Sequence, residues 1–447
     1  MKFILKPAKL FWGNIGWWVL LAGCVPIQST TTKTGQGALV TSNKMLLMQD
    51  RNYEESIKTV VFTLQSTAMQ RSLLPPVIPL SQGIPLQLEF DQIDSYFRDY
   101  SAKIIHCNAD WKPSALYETD YLSEYNDFPI RQYDLSFNTK VGYVHYKFVL
   151  PPVKVSGNYV VVVYRTGNPQ DVMLSRRFVV YENLVGILPQ VRSSTVVSQT
   201  MQNQQIDFTI GYTNYELRNP RDEVKVTIRQ NYRWDNAIYD LKPLYVRELD
   251  KALEYNYFSG ENNFKGGNEF RRFDLQSLLY LGFHLEQIDA ENPIETRVRL
   301  QNDGLRQKEP YVLLPDNNGG FFINITEFAN RGDTDADYAK VYFTLKSPTK
   351  LPEDVYILGA FNNWVADAQS KMTYFEQDQA YQKSILLKQG LYDYCYAVPT
   401  VNQGMDASPI EGSHQNTNNR YDIIVYYRPL GVRADRVIGY RDFNAFN

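Results

Sequence analysis

Few side chains in this sequence have the types and spacing that enzyme chemistry needs. Histidine is the residue most used for acid–base catalysis and zinc binding, and the four histidines are too scattered to form a metal-ligand pair: His106, His145, His284 and His414. The sequence contains no G-x-S-x-G elbow, no H-E-x-x-H helix and no C-x-x-C pair. Aspartates and glutamates are plentiful, but nothing in the sequence selects a catalytic pair. We therefore predict that the protein is not an enzyme and has no metal site and no cofactor.

Two polar segments resemble ligand-binding loops only superficially. The acidic run Asp333-Thr334-Asp335-Ala336-Asp337 has Tyr338 where a calcium loop needs glycine, and Thr344 where it needs a bidentate glutamate. We interpret this run as a solvated linker. The glycine-rich segment 259–268 lacks both the glycine spacing and the Lys-Ser/Thr pair of a phosphate loop. We therefore predict no nucleotide site.

The N-terminus has the pattern of an exported lipoprotein. Three lysines precede a short apolar stretch that ends at Leu21-Ala22-Gly23-Cys24. The segment is too short to span a bilayer as a helix, which needs about 20 apolar residues. Its last four residues resemble a bacterial lipobox, in which the cysteine thiol accepts a diacylglycerol and becomes the mature N-terminus. We predict a lipoprotein signal peptide over residues 1–23 and lipid attachment at Cys24, with an ordinary signal peptide as the alternative.

The residues after Cys24 predict where the anchored protein stays. Residues 25–30 are small and neutral, whereas surface-exported lipoproteins of gliding, gut and oral Gram-negative lineages usually carry acidic residues there. This pattern favours a periplasmic protein anchored to the inner face of the outer membrane. Ser, Thr and Gly are abundant over residues 25–43, and we predict a flexible tether over residues 24–50.

Composition indicates a large all-β protein. A chain of 447 residues is long enough for about three domains of roughly 100–200 residues each. Its formal net charge of −3 provides no basic surface, so we expect no nucleic acid partner. The 33 tyrosines and 23 phenylalanines favour strands and hairpins over helices.

Short β-branched and aromatic segments separated by turns predict tandem immunoglobulin-like or early-set β-sandwiches. The predicted strands are 57–64, 86–93, 102–107, 144–150, 159–164, 178–181, 205–213, 223–230, 340–345, 355–358, 384–387, 392–398 and 421–427. His145 lies in one of them, and we interpret it as a solvated or hydrogen-bonded strand residue rather than a ligand. We predict one weak helix over residues 275–281.

The strands and turns group into three consecutive predicted domains. An N-terminal sandwich covers residues 51–183, a middle β domain 184–335, and an early-set-like sandwich 336–447. Cys107 and Cys395 lie far apart in strand-like segments, and we predict buried free thiols and assign no disulfide.

The third predicted domain resembles glycogen- or starch-binding sandwiches in two places. Residues 355–364 end in Trp364, and residues 390–394 have the Gly-x-Tyr-x-Tyr pattern of the strand that returns against this hairpin. An exposed Trp364 ring is suited to stacking on a sugar, whereas a packed ring would cover the sandwich edge. The resemblance concerns the shape of the domain more than its ligand.

Longer segments resemble the plug protein family of the bacterial type IX secretion system, formerly catalogued as a domain of unknown function. The resemblance extends over about residues 55–445 and lies in segments with Trp, Arg and Asn in a fixed order: 165–172 (RTGNPQDV), 175–182 (SRRFVVYE), 230–237 (QNYRWDNA), 266–274 (GGNEFRRFD), 426–429 (YYRP) and 436–440 (RVIGY). The lipobox is a departure from this resemblance.

The resemblance implies a non-catalytic part in protein secretion. Plug proteins of this family close the periplasmic opening of a giant outer-membrane translocon barrel between transport events, and that barrel is the implied partner. We expect the candidate partner-binding side chains to be Arg233, Arg271, Arg272 and Trp364, with a purely architectural role as the other interpretation. Substitution of Arg271 and Arg272 by Glu is expected to weaken docking and leave the fold intact. The competing prediction is a carbohydrate-binding outer-membrane lipoprotein that uses Trp364.

Overall fold

The computed structural model describes residues 44–66, 71–81, 83–94, 96–327, 332–401 and 404–446. The predicted signal peptide and Cys24 lie outside the described residues. Strands make up 45% of the chain and helices 5%, so the predicted all-β class is confirmed. Strands fall in or near the predicted segments, and Ile57–Leu64 has the predicted bounds.

The first sandwich is built from the N-terminal third of the described chain. Its strands are β1 (Arg51–Asn52), β2 (Ile57–Leu64), β3 (Val77–Pro79), β4 (Leu86–Gln92), β5 (Tyr100–Cys107), β6 (Phe128–Ile130), β7 (Gln132–Leu135), β8 (Val144–Val149), β9 (Gly157–Arg165) and β10 (Asn168–Tyr181). One sheet has the order β1-β10-β9-β5-β6, with β3 parallel to β10, and the other has the order β2-β4-β8-β7. Aromatic and branched side chains from both sheets fill the core between them.

The second sandwich begins with seven strands. They are β11 (Gly186–Ser193), β12 (Asn203–Gly211), β13 (Val224–Gln230), β14 (Ile238–Leu241), β15 (Tyr245–Arg247), β16 (Ala252–Tyr255) and β17 (Asn263–Lys265). One sheet has the order β11-β12-β16-β15, and β17 pairs with β12. The other sheet starts as the β13-β14 hairpin and is incomplete at this point of the chain.

The third sandwich is inserted before the second one is complete. Its strands are β18 (Arg271–Asp274), β19 (Leu285–Asp289), β20 (Thr296–Leu300), β21 (Phe321–Ile323), β22 (Tyr338–Lys346), β23 (Tyr356–Leu358), β24 (Thr373–Phe375), β25 (Ala380–Lys388), β26 (Gly390–Pro399) and β27 (Met405–Asp406). One sheet centres on β26, and the other has the order β19-β20-β22-β25-β24.

The chain then returns to the second sandwich. Strands β28 (Arg420–Tyr427) and β29 (Arg436–Asn444) complete the sheet β14-β13-β28-β29, and β28 pairs with β13 over seven residues from Val224 to Gln230. The predicted division into 184–335 and 336–447 does not describe this sheet, because it takes strands from both segments. The core of the second sandwich correspondingly combines residues of 185–264 with residues of 421–438.

Helices are short in the described residues. The three α-helices are α1 (Glu118–Tyr121), α2 (Pro220–Glu223) and α3 (Ser408–Glu411), and single 3-10 turns occupy Arg71–Leu73, Val197–Gln199 and Ala360–Asn362. No helix in the described ranges has the length and apolar character needed to cross a membrane.

The predicted helix over residues 275–281 is wrong. Side-chain oxygens of this segment accept hydrogen bonds from nearby backbone N–H groups, and such local bonds compete with a helix. The carboxylate of Asp274 accepts from Gln276 N at 2.9 Å, and the hydroxyl of Ser277 accepts from Leu279 N and Tyr280 N at 3.1 Å each. The segment therefore forms a loop.

The predicted tether over residues 24–50 is too long at its C-terminal end. Lys44 forms an ion pair with Asp171 of β10, with 2.6 Å between the nitrogen and the carboxylate oxygen. The carboxylate of Asp50 accepts a hydrogen bond from Arg177 N at 2.7 Å, and Met48 O accepts one from Arg177 Nε at 2.8 Å. Residues 44–50 are thus bound to the first sandwich.

Candidate functional site

A turn after β13, residues 231–234, lies where the three sandwiches meet, and we call it the junction turn. Asn231 and Tyr232 have left-handed backbone angles, with φ of 53° and 59°. The Asn231 side chain bonds both Arg420 N and Asn419 Oδ1 at 2.8 Å, which ties the turn to the start of β28. Side chains of the turn point to the two other sandwiches.

Trp234 of the junction turn packs against the first sandwich. Its ring meets the edge of the Trp111 ring at a centroid distance of 4.7 Å. The Arg177 guanidinium of β10 lies over both rings, 4.3 Å from Trp111 and 5.5 Å from Trp234. Buried Arg229 of β13, which pairs bidentately with Asp422 of β28, lies 4.1 Å from the Trp234 ring. Each desolvated cation–π contact contributes about 1–2 kcal/mol, so this stack stabilises the contact between the two sandwiches.

Arg233 of the same turn packs against the third sandwich. Its guanidinium lies 3.9 Å from the centre of the Trp364 ring and pairs with Asp235, with nitrogen and oxygen 2.6 Å apart. Phe270 contacts the Trp364 ring edge-on at 5.6 Å. A Cβ at Gly319, where φ is +79°, would lie 2.3 Å from Trp364 Cη2, so only glycine fits below the ring. Trp364 is therefore half-buried, and the Arg233 guanidinium covers a face of its ring.

Arg271 and Arg272 of β18 are engaged inside the third sandwich. Arg271 is buried, donates to Asp303 at 2.7 Å, and pairs with Glu411 of α3 at 3.0 Å. Arg272 donates to the fully buried Asp393 of β26 at 2.8 Å. Glu at position 271 would place a third carboxylate beside two buried ones, so these contacts argue against the expectation that the fold stays intact after that substitution.

A polar cleft separates the first sandwich from the third one. It has a volume of about 920 Å³. Strands β2, β4 and β8 line one side, and the other side is lined by Ile323, Asn324, Gly332, Asp333 and Lys388. Its charged side chains are Arg71, Glu89, His145, Lys147, Asp333 and Lys388. No local sequence pattern predicted this cluster of ionisable groups.

Asp91 lies at the centre of the buried polar contacts behind this cleft. Its carboxylate accepts hydrogen bonds from Lys388 Nζ at 2.8 Å and Tyr338 Oη at 2.7 Å, and bonds His145 Nδ1 at 2.6 Å. Lys388 and Tyr338 belong to the third sandwich, whereas Asp91 and His145 belong to the first. The network therefore joins the two sandwiches. His145 is hydrogen-bonded, as one of its two sequence interpretations stated.

The electrostatics of the cleft favour ionised groups. Burial alone would lower the pKa of His145, but the adjacent carboxylates of Asp91 and Glu89 outweigh it and raise that pKa. Burial likewise opposes ionisation of Asp333, but nearby His145 and Lys147 hold its pKa at about 2. The carboxylates of this cleft are therefore charged at neutral pH.

The acidic run 333–337 is not a solvated linker, and that interpretation is wrong. The carboxylate of Asp333 accepts from Lys147 at 2.8 Å. The buried Asp337 carboxylate accepts from Lys140 N at 2.8 Å and Val141 N at 3.1 Å. The run docks on the first sandwich, and no local sequence pattern could show this because the partners lie almost 200 positions away.

Cys107 and Cys395 are both buried free thiols, as predicted. Burial raises the pKa of each thiol to about 12. Neither has the thiolate character that redox or nucleophilic chemistry requires.

The loop between β18 and β19 exposes large apolar side chains, and we call it the apolar loop. Its large side chains are 60–74% exposed: Leu279, Tyr280, Leu281 and Phe283. A contiguous exposed apolar surface commonly marks a contact site for a protein or membrane. The apolar residues of 275–281 predicted a helix rather than an exposed surface.

The described residues define a class of protein: a single block of three β-sandwiches, held together by stacked and buried charged side chains. Residues 57–182 match the family described as type 9 secretion system plug protein 1st domain. The first sandwich therefore belongs to the family of type 9 secretion system plug protein 1st domains. The match covers nearly all of the first sandwich.

A solved structure extends the similarity over most of the chain. A hypothetical protein from Parabacteroides merdae ATCC 43184, known from its crystal structure, is 32% identical with a TM-score of 0.84. The similarity covers 90% of this chain and 100% of that one. A comparison with curated proteins found no match.

Proposed function

We propose that this protein is a non-catalytic periplasmic plug that closes the periplasmic opening of the type IX secretion translocon barrel when no cargo is in transit. The observation that carries the proposal is the plug first domain over residues 57–182. The presence of this domain associates the protein with the type IX secretion system and with a location at the periplasm and outer membrane. Lipid at Cys24 would add an anchor that raises the concentration of the plug at the barrel mouth.

The packing of the three sandwiches suits a stopper. A plug must keep its shape against a wide pore, and cores packed at crystal-like density deform little. Here the contacts between sandwiches are themselves buried. They include the stack at the junction turn and the Asp91 network, in which Lys388 is 1% and Asp91 0% exposed. These contacts support a plug that moves as one body.

In the part of the chain that the structure describes, the contacts of Trp364 weaken the alternative, a carbohydrate-binding lipoprotein. That alternative depends on an open Trp364 ring, and Arg233, Phe270 and Gly319 surround this ring. Partner-binding roles for Arg271 and Arg272 also lose support, because both side chains pair with buried carboxylates.

We propose the apolar loop as part of the surface that docks on the barrel. A reversible contact needs exposed apolar side chains that do not serve the fold, and Leu279 and Tyr280 are 72% and 74% exposed. The variant Leu279→Ser/Tyr280→Ser should co-purify less with the barrel from mild-detergent extracts of outer membranes. The matched control Val312→Ser/Leu313→Ser removes similar exposed apolar area from another loop. Equal recovery of the barrel with both variants would exclude the apolar loop.

The plug function itself is tested by leakage. Deletion of the gene should make cells sensitive to a large antibiotic that the outer membrane normally excludes, and re-expression should restore resistance. The sensitivity should vanish when the translocon barrel is deleted as well, because the open pore is then absent. A deletion strain that stays as tight as the parent, or one that leaks equally without the barrel, would contradict the proposal.

A further inference from the structure

We infer that the polar cleft is a binding site for a divalent transition-metal ion, held by His145, Glu89 and Asp333. One ligand atom from each residue lies within 4.8 Å of the other two. Two residues come from the first sandwich and Asp333 from the third. A bound ion would therefore tie the two sandwiches together.

The imidazole of His145 is oriented as a metal ligand. Its Nδ1 lies 2.6 Å from the fully buried Asp91 carboxylate, and since a carboxylate only accepts hydrogen bonds, Nδ1 carries the proton. A metal ion binds the neutral form of the ring, in which the free lone pair is on Nε2. Ligating histidines commonly have this carboxylate partner, which fixes the ring and increases its basicity.

The Nε2 atom has no hydrogen-bond partner although its side chain is only 5% exposed. It lies 3.5 Å from Glu89 Oε2. Ligands about 2.0–2.2 Å from a tetrahedral zinc ion are about 3.3–3.6 Å apart, so this pair already has the required spacing. A cation bound at the wall of the cleft would give this buried nitrogen the partner it lacks and would also contact the two carboxylates.

Two cationic side chains must move away from the carboxylates before an ion can bind. Arg71 now donates to both Glu89 oxygens, at 2.6 and 2.8 Å, and Lys147 bonds Asp333. Their side chains are 21% and 26% exposed, so both can turn toward solvent in the cleft. Lys388 stays buried on Asp91. A divalent ion then replaces the two departing positive charges and leaves the cleft neutral.

The donor set selects the class of ion. Imidazole nitrogen with carboxylate oxygens suits zinc and similar transition ions, and three protein ligands leave a position for water. Calcium prefers six to eight oxygen ligands, so it should bind poorly here.

The test is a zinc titration of the mature chain, without a tag and with Cys24→Ser to remove a competing thiol. We expect one Zn²⁺ per chain by calorimetry at pH 7.5, and no comparable binding of Ca²⁺. Asp333→Asn and Glu89→Gln should each weaken zinc binding at least tenfold. Asp335→Asn makes the same charge change two residues away and should leave it unaltered.

Asp333→Asn decides the matter if Glu89→Gln fails to fold, because the Asp333 side chain is 37% exposed. The inference is overturned if the wild-type chain takes up no zinc, prefers calcium, or binds zinc equally after Asp333→Asn. An equal loss in Asp335→Asn would also overturn it, because the effect would then be one of net charge.

Discussion

Arg271 provides the sharpest test of whether the sequence-selected arginines are architectural. Arg271→Ala removes a guanidinium whose Nε donates to Glu411 at 3.0 Å, while its two terminal nitrogens donate to Asp303 and Gly304 O at 2.7 Å each. Both carboxylates are buried, at 2% and 5% exposure of the side chain. The substitution leaves them without their shared cation.

The free energy of unfolding should fall by about 3–5 kcal/mol, the usual cost of removing one partner of a buried ion pair. The lower end applies here, because both carboxylates keep other donors. Glu411 still accepts from Arg306 at 2.8 Å, and Asp303 still accepts from the hydroxyls of Tyr394 and Tyr396 at 2.7 Å. A loss of about 3 kcal/mol is roughly a hundredfold change in the folding equilibrium.

The assay is urea unfolding at pH 7, followed by tryptophan fluorescence, with Trp364 as the reporter in the third sandwich. Arg299→Ala is the matched control, because Arg299 lies on β20 of the same sandwich with its side chain exposed. The control should change stability by no more than about 0.5 kcal/mol. If Arg271→Ala costs less than about 1 kcal/mol, the buried network does not stabilise the fold and a docking role becomes the better explanation.

Three further predictions concern other contacts. Burial lowers the pKa of His106 to about 4. Between pH 6.5 and pH 4 the imidazole therefore takes up a proton in the unfolded chain but not in the folded one, so the free energy of unfolding should fall by about 3 kcal/mol over this range. Urea unfolding of His106→Gln should lack this loss, and identical pH profiles for the variant and the wild-type protein would contradict the prediction. Gly319→Ala should lower the melting temperature, because its Cβ would lie 2.3 Å from Trp364 and φ is +79°; an unchanged melting temperature would show that the ring moves freely. Trp234→Ala should cost about 2–3 kcal/mol and speed tryptic cleavage between the first two sandwiches; unchanged cleavage would mean that the stack at the junction turn does not hold them together.

Much of the fold follows from local sequence signals. The segment Ile57–Leu64 alternates β-branched and aromatic residues between turn signals, and the structure has a strand with those bounds. The segment 275–281 misled because its apolar residues have a spacing that suits a helix as well as an exposed loop. Side-chain bonds to Asp274 and Ser277 decided between the two.

Long-range pairing could not be predicted. Nothing near β13 indicates that β28, almost 200 residues later, is its neighbour. Glu89, His145 and Asp333 come from three separate segments, so their spacing in the sequence did not indicate that they lie together. Trp364 was found by its type and position, but only the structure shows that Arg233 covers its ring.

The insertion of the third sandwich has a consequence for biosynthesis. The first and third sandwiches use strands that are complete by residue 406, whereas the second needs β28 and β29, which end at residue 444. A truncated product would leave β13 with an unpaired edge, and such edges promote aggregation and degradation. Only a chain that extends through β29 can form all three cores, so we expect shorter translation products to aggregate or be degraded.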